Sequence, residues 1–147
     1  VDEGATVVTH FLNQPYYETA WAAPRTLNPD KLAQSKKAAK FATFTDKHIL
    51  TGRRPIEVHV IARNGHNDAF AMIYLPRERI LIEGDAYTPP AAGTPPPDKP
   101  NPFWVNLEEN IQRLKLDVRQ IAPLHGQRLV TMADLRADIG KPAGATN

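Results

Sequence analysis

Phe70-Ala71-Met72-Ile73-Tyr74-Leu75-Pro76-Arg77-Glu78-Arg79-Ile80-Leu81-Ile82-Glu83-Gly84-Asp85 is the stretch on which the fold turns. Two apolar runs, Phe70–Leu75 and Ile80–Ile82, flank the short polar segment Pro76–Arg79. They read as a hairpin, because a break of this length brings two strands back side by side. The second strand ends in a small turn that carries an acid, Asp85, beside Gly84. Ile56-Glu57-Val58-His59-Val60, just upstream, alternates with period two and predicts a third strand, half-buried. Lys47–Leu50 is a weaker strand before it, with Thr51-Gly52-Arg53 as a turn. An antiparallel meander follows from this run of segments.

Outward from the meander, Asn101-Pro102 and Asn28-Pro29-Asp30 are helix starts, with Asn at the cap and Pro at the first helical position. The first predicts a helix over 103–115, in which Trp104, Leu107, Ile111 and Leu114 form one apolar face. The second predicts a helix over 29–41, with Lys31, Lys36, Lys37 and Lys40 on its solvated side. Thr131-Met132-Ala133-Asp134 resembles a capping box and opens a last helix over 132–138. Strands are expected near 5–9, 56–61, 69–75, 79–83 and 119–122. Asn13, Pro15, Tyr16 and Tyr17 end the first of these and lead into a loop rich in Ala and Pro. Residues 88–102 hold seven of the 14 prolines and form a proline-rich loop, read equally as a connector or as a stiff flap beside a site. The tail from Lys141 to Asn147 is expected to fray.

The chain has 147 residues, 41% hydrophobic and 23% charged, which is the composition of one globular domain. A net charge of +2 is too small for a nucleic-acid footprint. No apolar run reaches the roughly 18 residues of a membrane span, so no membrane partner is expected. There is no cysteine, which excludes disulfides and thiolate metal ligands and leaves cytosol and periplasm equally open. The chain begins at Val1 with no signal-peptide pattern, as expected of a product cut from something longer.

Three segments repeat one arrangement, a strand ending in a small polar turn with a possible ligand: Val60–Asp68 with His66, Ile80–Ala86 with Asp85, and Ile121–Gln127 with His125. Two imidazoles and a carboxylate are the donor types of a catalytic zinc that keeps water in its fourth position. Gly65, Gly84 and Gly126 let the backbone turn beside each donor. Singly each signal is weak, since a histidine after a strand is more often an ordinary surface or core residue. Asn67 and Asp68 read as turn caps, Arg63 and His59 as solvent-facing strand residues. No phosphate loop, serine elbow or cysteine nucleophile is present. Ser35, the only serine, falls on an exposed helix.

The order of these segments resembles the C-terminal half of the metallo-β-lactamase-fold hydrolases. Gly65-His66-Asn67-Asp68 is followed by the Tyr74-Leu75-Pro76 hairpin ending Glu83-Gly84-Asp85, then by Asn110-Ile111-x-Arg113-Leu114-Lys115-Leu116 and Ala122-Pro123-Leu124-His125-Gly126. Glu3–His10 resembles the strand that follows the family's first metal motif. The resemblance implies an α/β (α+β) fold, half of an αββα sandwich with a mostly antiparallel sheet and flanking helices, in a single truncated domain over 1–147. It implies metal ligation by His66, Asp85 and His125, with Asp85 bridging, and one or two zinc ions. Tyr87, two residues beyond Asp85, is a further candidate beside the catalytic Asp85, its other role being packing. The H-x-H-x-D-H motif is absent, and His10, His48 and His59 are too isolated to supply it.

The implied activity is metal-dependent hydrolysis of an ester, lactone or amide bond in a small-molecule substrate. The alternatives are a non-catalytic half-domain acting in assembly with a vestigial metal site, and a metal-free hydrolase using His and Asp as acid and base. A half-sandwich also leaves a sheet face to cover, which predicts a homodimer or higher oligomer.

Overall fold

The computed structural model describes residues 1, 3–35 and 37–141, which fall into two compact units, Val1–His48 and Ile49–Asn147. The first unit pairs β1 (Thr6–His10) in parallel with β2 (Lys40–Phe44), with Val7 opposite Phe41 and His10 opposite Phe44. Between them lie a short 3-10 turn, α1 (Gln14–Ala22) and α2 (Lys31–Ser35). α1 stands where a loop was expected. Pro15 in its first turn suits a helix start, Thr19 Oγ1 donates to the Pro15 carbonyl at 2.8 Å, and Tyr17 stacks on Trp21 one turn later, 5.0 Å between ring centroids.

The helix expected over 29–41 is corrected to five residues. Asp30, rather than Asn28, accepts from the Ala33 amide at 2.9 Å and so starts α2. The helix stops where Ser35 Oγ turns back on the Leu32 carbonyl and accepts from the Lys37 amide, a local bond that competes with helical ones. The chain is then taken over by pairing of Phe41–Phe44 with β1. Of the four lysines assigned to that helix, Lys31 lies on α2, Lys37 after it and Lys40 on β2; Lys36 lies outside the described residues, as does the tail beyond Lys141.

The larger sheet has the order β3 (Lys47–Leu50), β4 (Ile56–Val60), β5 (Ala71–Leu75), β6 (Ile80–Glu83), β7 (Gln120–Pro123). β4, β5 and β6 form the expected antiparallel meander, with His59 opposite Met72 and Tyr74 opposite Leu81. β7 joins β6 in parallel, Leu81 opposite Ile121. A parallel neighbour requires a crossover, supplied by the proline-rich segment and α3 (Pro102–Arg113). Asn101 caps α3 through its side chain, accepting from the Phe103 amide at 2.9 Å. α4 (Met132–Asp138) opens on the expected capping box between Thr131 and Asp134.

One face of this sheet is the core. Met72, Tyr74, Leu81 and Ile121 meet Leu107 and Ile111 of α3 and Leu135 of α4, all buried. Glu108 is buried on α3 and is held by Gln112, Arg136 and Lys141. The opposite face carries Val58, Ile73 and Ile82 in register, and Ile73 remains 38% exposed. No helix among the described residues is long and apolar enough to cross a membrane.

Candidate metal centre

Three turns leave the same end of the sheet. The first follows β4 through Ala62, Arg63, Asn64 and Gly65 to His66. Arg63 takes a left-handed conformation there, φ 56°. The His66 ring lies against Phe70 and meets Phe103 edge-on, with centroids 5.1 and 6.3 Å away. Gly65 suits this approach, since a Cβ there would stand 3.2 Å from Phe103 Cε1 and the ring would have to give a few tenths of an ångström. The second turn carries Asp85 out of β6. The third follows β7, where the Leu124 amide donates to the Glu83 carbonyl at 2.9 Å and ties it to the second. Gly126 is obligatory in that turn: a Cβ would fall 2.4 Å from Pro123 Cγ and 3.4 Å from Pro89 Cδ. Pro89 thus brings the start of the proline-rich segment against the turn that bears His125.

The three expected donors converge. His66 Nε2 lies 3.1 Å from Asp85 Oδ2, and His125 Nε2 lies 2.7 Å from Asp85 Oδ1. Each carboxylate oxygen therefore faces its own imidazole. All three side chains are about half exposed, at 45%, 46% and 61% for His66, Asp85 and His125.

Among the described residues no group of three His, Asp or Glu side chains is set to hold one ion. Both imidazole–carboxylate contacts are at hydrogen-bond distance, and the donor types, two imidazoles and a carboxylate, are ones that zinc takes. Four-coordinate zinc held by one imidazole and the carboxylate takes two further ligands.

Tyr87 is not among the converging groups. It is fully buried, its hydroxyl donates to Asp138 Oδ2 on α4, and its ring meets Trp104 edge-on at 5.4 Å. Burial, first, and then the bond to the Asp138 carboxylate hold its phenol well above the usual range, so it packs the core. His59 is also corrected. It is 3% exposed rather than solvent-facing, and its Nε2 lies 2.7 Å from Glu57 Oε2. Arg63 is exposed, as expected, and Asn67 caps its turn by accepting from the Ala69 amide at 2.9 Å.

Glu83 was not anticipated. It is 2% exposed, accepts from the Tyr87 amide at 3.0 Å, and has one carboxyl oxygen without a hydrogen bond. Its signal was the alternation Leu81-Ile82-Glu83, which puts it on the core face beneath the Asp85 turn. Burial pushes its carboxyl up to about 8, against the lowering effect of the Tyr87 and Ala86 amides. Folded protein thus holds a proton there that unfolded chain releases above the ordinary glutamate range. The stability this contributes is complete below about pH 4.5 and is lost as pH rises through about 8. Urea unfolding of metal-free protein should show stability falling by roughly 5 kcal/mol from this group between those limits. Glu83→Gln should remove that fall; an unchanged pH profile in the variant contradicts the assignment.

Several solved structures of other proteins resemble the chain in fold. A metallo-β-lactamase from Pontibacter korlensis matches 94% of it at 18% identity and a TM-score of 0.58. The chain has part of the metallo-β-lactamase fold. It spans 58% of the length of that Pontibacter chain. The flavodiiron protein from Giardia intestinalis matches 92% of the chain at 15% identity and TM-score 0.55, over 34% of its own length. The rubredoxin oxygen:oxidoreductase from Desulfovibrio gigas matches 80% at 14% identity and TM-score 0.52, over 31% of its own. No protein-family model matches the sequence, and no curated protein is similar to it in sequence. At these identities the likeness is one of fold: a metallo-β-lactamase fold is shared by proteins named for lactam hydrolysis and for oxygen reduction.

Proposed function

We propose that this metallo-β-lactamase-fold chain carries the second-half ligands of a two-metal hydrolase acting on an ester, lactone or amide bond of a small molecule. The observation behind this reading is Asp85, whose two oxygens each take a different imidazole. His66 and Asp85 would hold one ion, His125 and Asp85 the other. Zinc bound there would acidify water and polarise a carbonyl. The chain's own part is to keep one carboxylate between two imidazoles at a half-exposed edge that a substrate can reach.

Zinc titration of chelator-stripped protein tests this, alongside hydrolysis of a chromogenic ester, a lactone and a β-lactam with and without chelator. Up to two zinc ions per chain and chelator-sensitive hydrolysis are expected. Hydrolysis indifferent to chelator would favour acid–base chemistry by His and Asp alone. Absence of zinc binding at micromolar concentrations would favour the non-catalytic half-domain with a vestigial site.

A further inference from the structure

We infer that Asn64, Asn106 and Asn110 are positioning residues that seat His66, and that they do so without acting on His125. The inference rests on the metal reading above. Asn110 of α3 is 3% exposed, and its amide group clamps Ala62, accepting from the Ala62 amide at 2.9 Å and donating to its carbonyl at 3.1 Å. One turn earlier, Asn106 Nδ2 donates to the Ala62 and Arg63 carbonyls at 3.0 and 3.2 Å. Asn106 Oδ1 accepts from Asn64 Nδ2 at 3.0 Å, and Asn64 Oδ1 accepts from the His66 amide at 2.8 Å. A continuous path of hydrogen bonds therefore runs from α3 to the backbone of the first histidine.

Each amide in this path has its orientation set by its neighbours. Turning Asn106 over would place its Nδ2 against Asn64 Nδ2 and take the donor from the Arg63 carbonyl, while Ala62 would keep Asn110. Buried amides are costly unless satisfied. Asn64 and Asn110 are buried and the half-buried Asn106 joins them, and together they specify a backbone geometry that apolar packing alone would not. They also secure Arg63 in its left-handed conformation, by bonding its carbonyl. The turn bearing His125 is held otherwise, by the Leu124–Glu83 backbone bond and by Pro123 against Gly126. The two imidazoles thus reach Asp85 from separately fixed frames.

Asn64→Ala and Asn64→Asp test this, read by hydrogen exchange of the His66 amide, imidazole NMR of His66 and His125, and zinc titration. Asn64→Ala should speed His66 amide exchange at least tenfold, disturb the His66 imidazole signal and not that of His125, and weaken the zinc step that shifts His66 by about 10–100-fold. Asn64→Asp keeps the acceptor for the His66 amide and should retain most of its protection. Equal loss at both histidines, or an unchanged His66 amide in Asn64→Ala, overturns the inference. Should wild-type protein bind no zinc, the metal reading fails, and the amide and imidazole signals still decide whether Asn64 sets His66 against Asp85.

Discussion

Asp85→Ala is expected to abolish the proposed zinc uptake and to leave the fold standing. The Asp85 side chain is 46% exposed, and its contacts are the two imidazoles rather than the core. Substitutions at such positions usually move stability by less than about 0.5 kcal/mol. Yet in the proposed site this residue would supply an oxygen to both metal positions, so its loss would take a ligand from each. Removing a mere outer-shell partner weakens a metal site by about 10–100-fold, and losing the shared carboxylate should exceed the top of that range. Asp85→Asn, which keeps the shape and loses the charge, should fall between. Zinc titration and calorimetric melting on the same samples separate the two effects. Undiminished zinc affinity in Asp85→Ala would show that the convergence of the three side chains has no bearing on metal.

Leu81→Ala should be strongly destabilising to the larger unit. Leu81 is fully buried at the middle of β6, facing the core between Tyr74 on β5 and Ile121 on β7. Leu→Ala at such a site costs about 2–5 kcal/mol, because the cavity adds to the lost burial. For a unit of this size each kcal/mol is worth roughly 4–8 °C in Tm, so a fall of more than about 10 °C is expected. Ile73→Ala, on the opposite face and 38% exposed, should cost far less. Comparable losses at the two positions would mean that the core lies on neither face in particular.

The larger unit was legible because its signals are local and agree with one another. Alternation in Ile56–Val60, the broken hairpin of Phe70–Ile82 and the Asn101-Pro102 cap each specify an element without help from distant residues. The first unit was not. Asn13-Gln14-Pro15 carries nearly the same start signal as Asn28-Pro29 and Asn101-Pro102, but two tyrosines and a tryptophan obscured the helix behind it, within which Tyr17 stacks on Trp21. β2 is invisible locally, since its strand character comes from β1 beside it. At the site, His66, Asp85 and His125 were legible through the order of three strand-end turns. That Asp85 would serve two imidazoles on separate oxygens was not, because spacing of 18 and 39 residues carries no geometry. The asparagines of α3 carry no local signal, because a polar residue turned toward a neighbouring turn looks the same in sequence as a solvated one, whereas Glu83 was marked by the alternation of β6 that sets it on the core face.

The parallel pairing of β7 with β6 has a kinetic consequence. His66 and Asp85 belong to one meander, whose strands pair with their neighbours in sequence and form early. Asp85 and His125 meet only once the chain has crossed over through residues 84–119. Loop length alone hardly separates the two events, since doubling a loop costs only about 0.6 kcal/mol. The difference lies in what must already be in place: β7 has no strand to align with until β6 is set, and nothing covers that edge until α3 has settled on Leu81 and Ile121. The meander brings the first imidazole and the carboxylate to one edge, but the docking of α3 both fixes the His66 turn, through Asn106 and Asn110, and covers the edge that β7 joins.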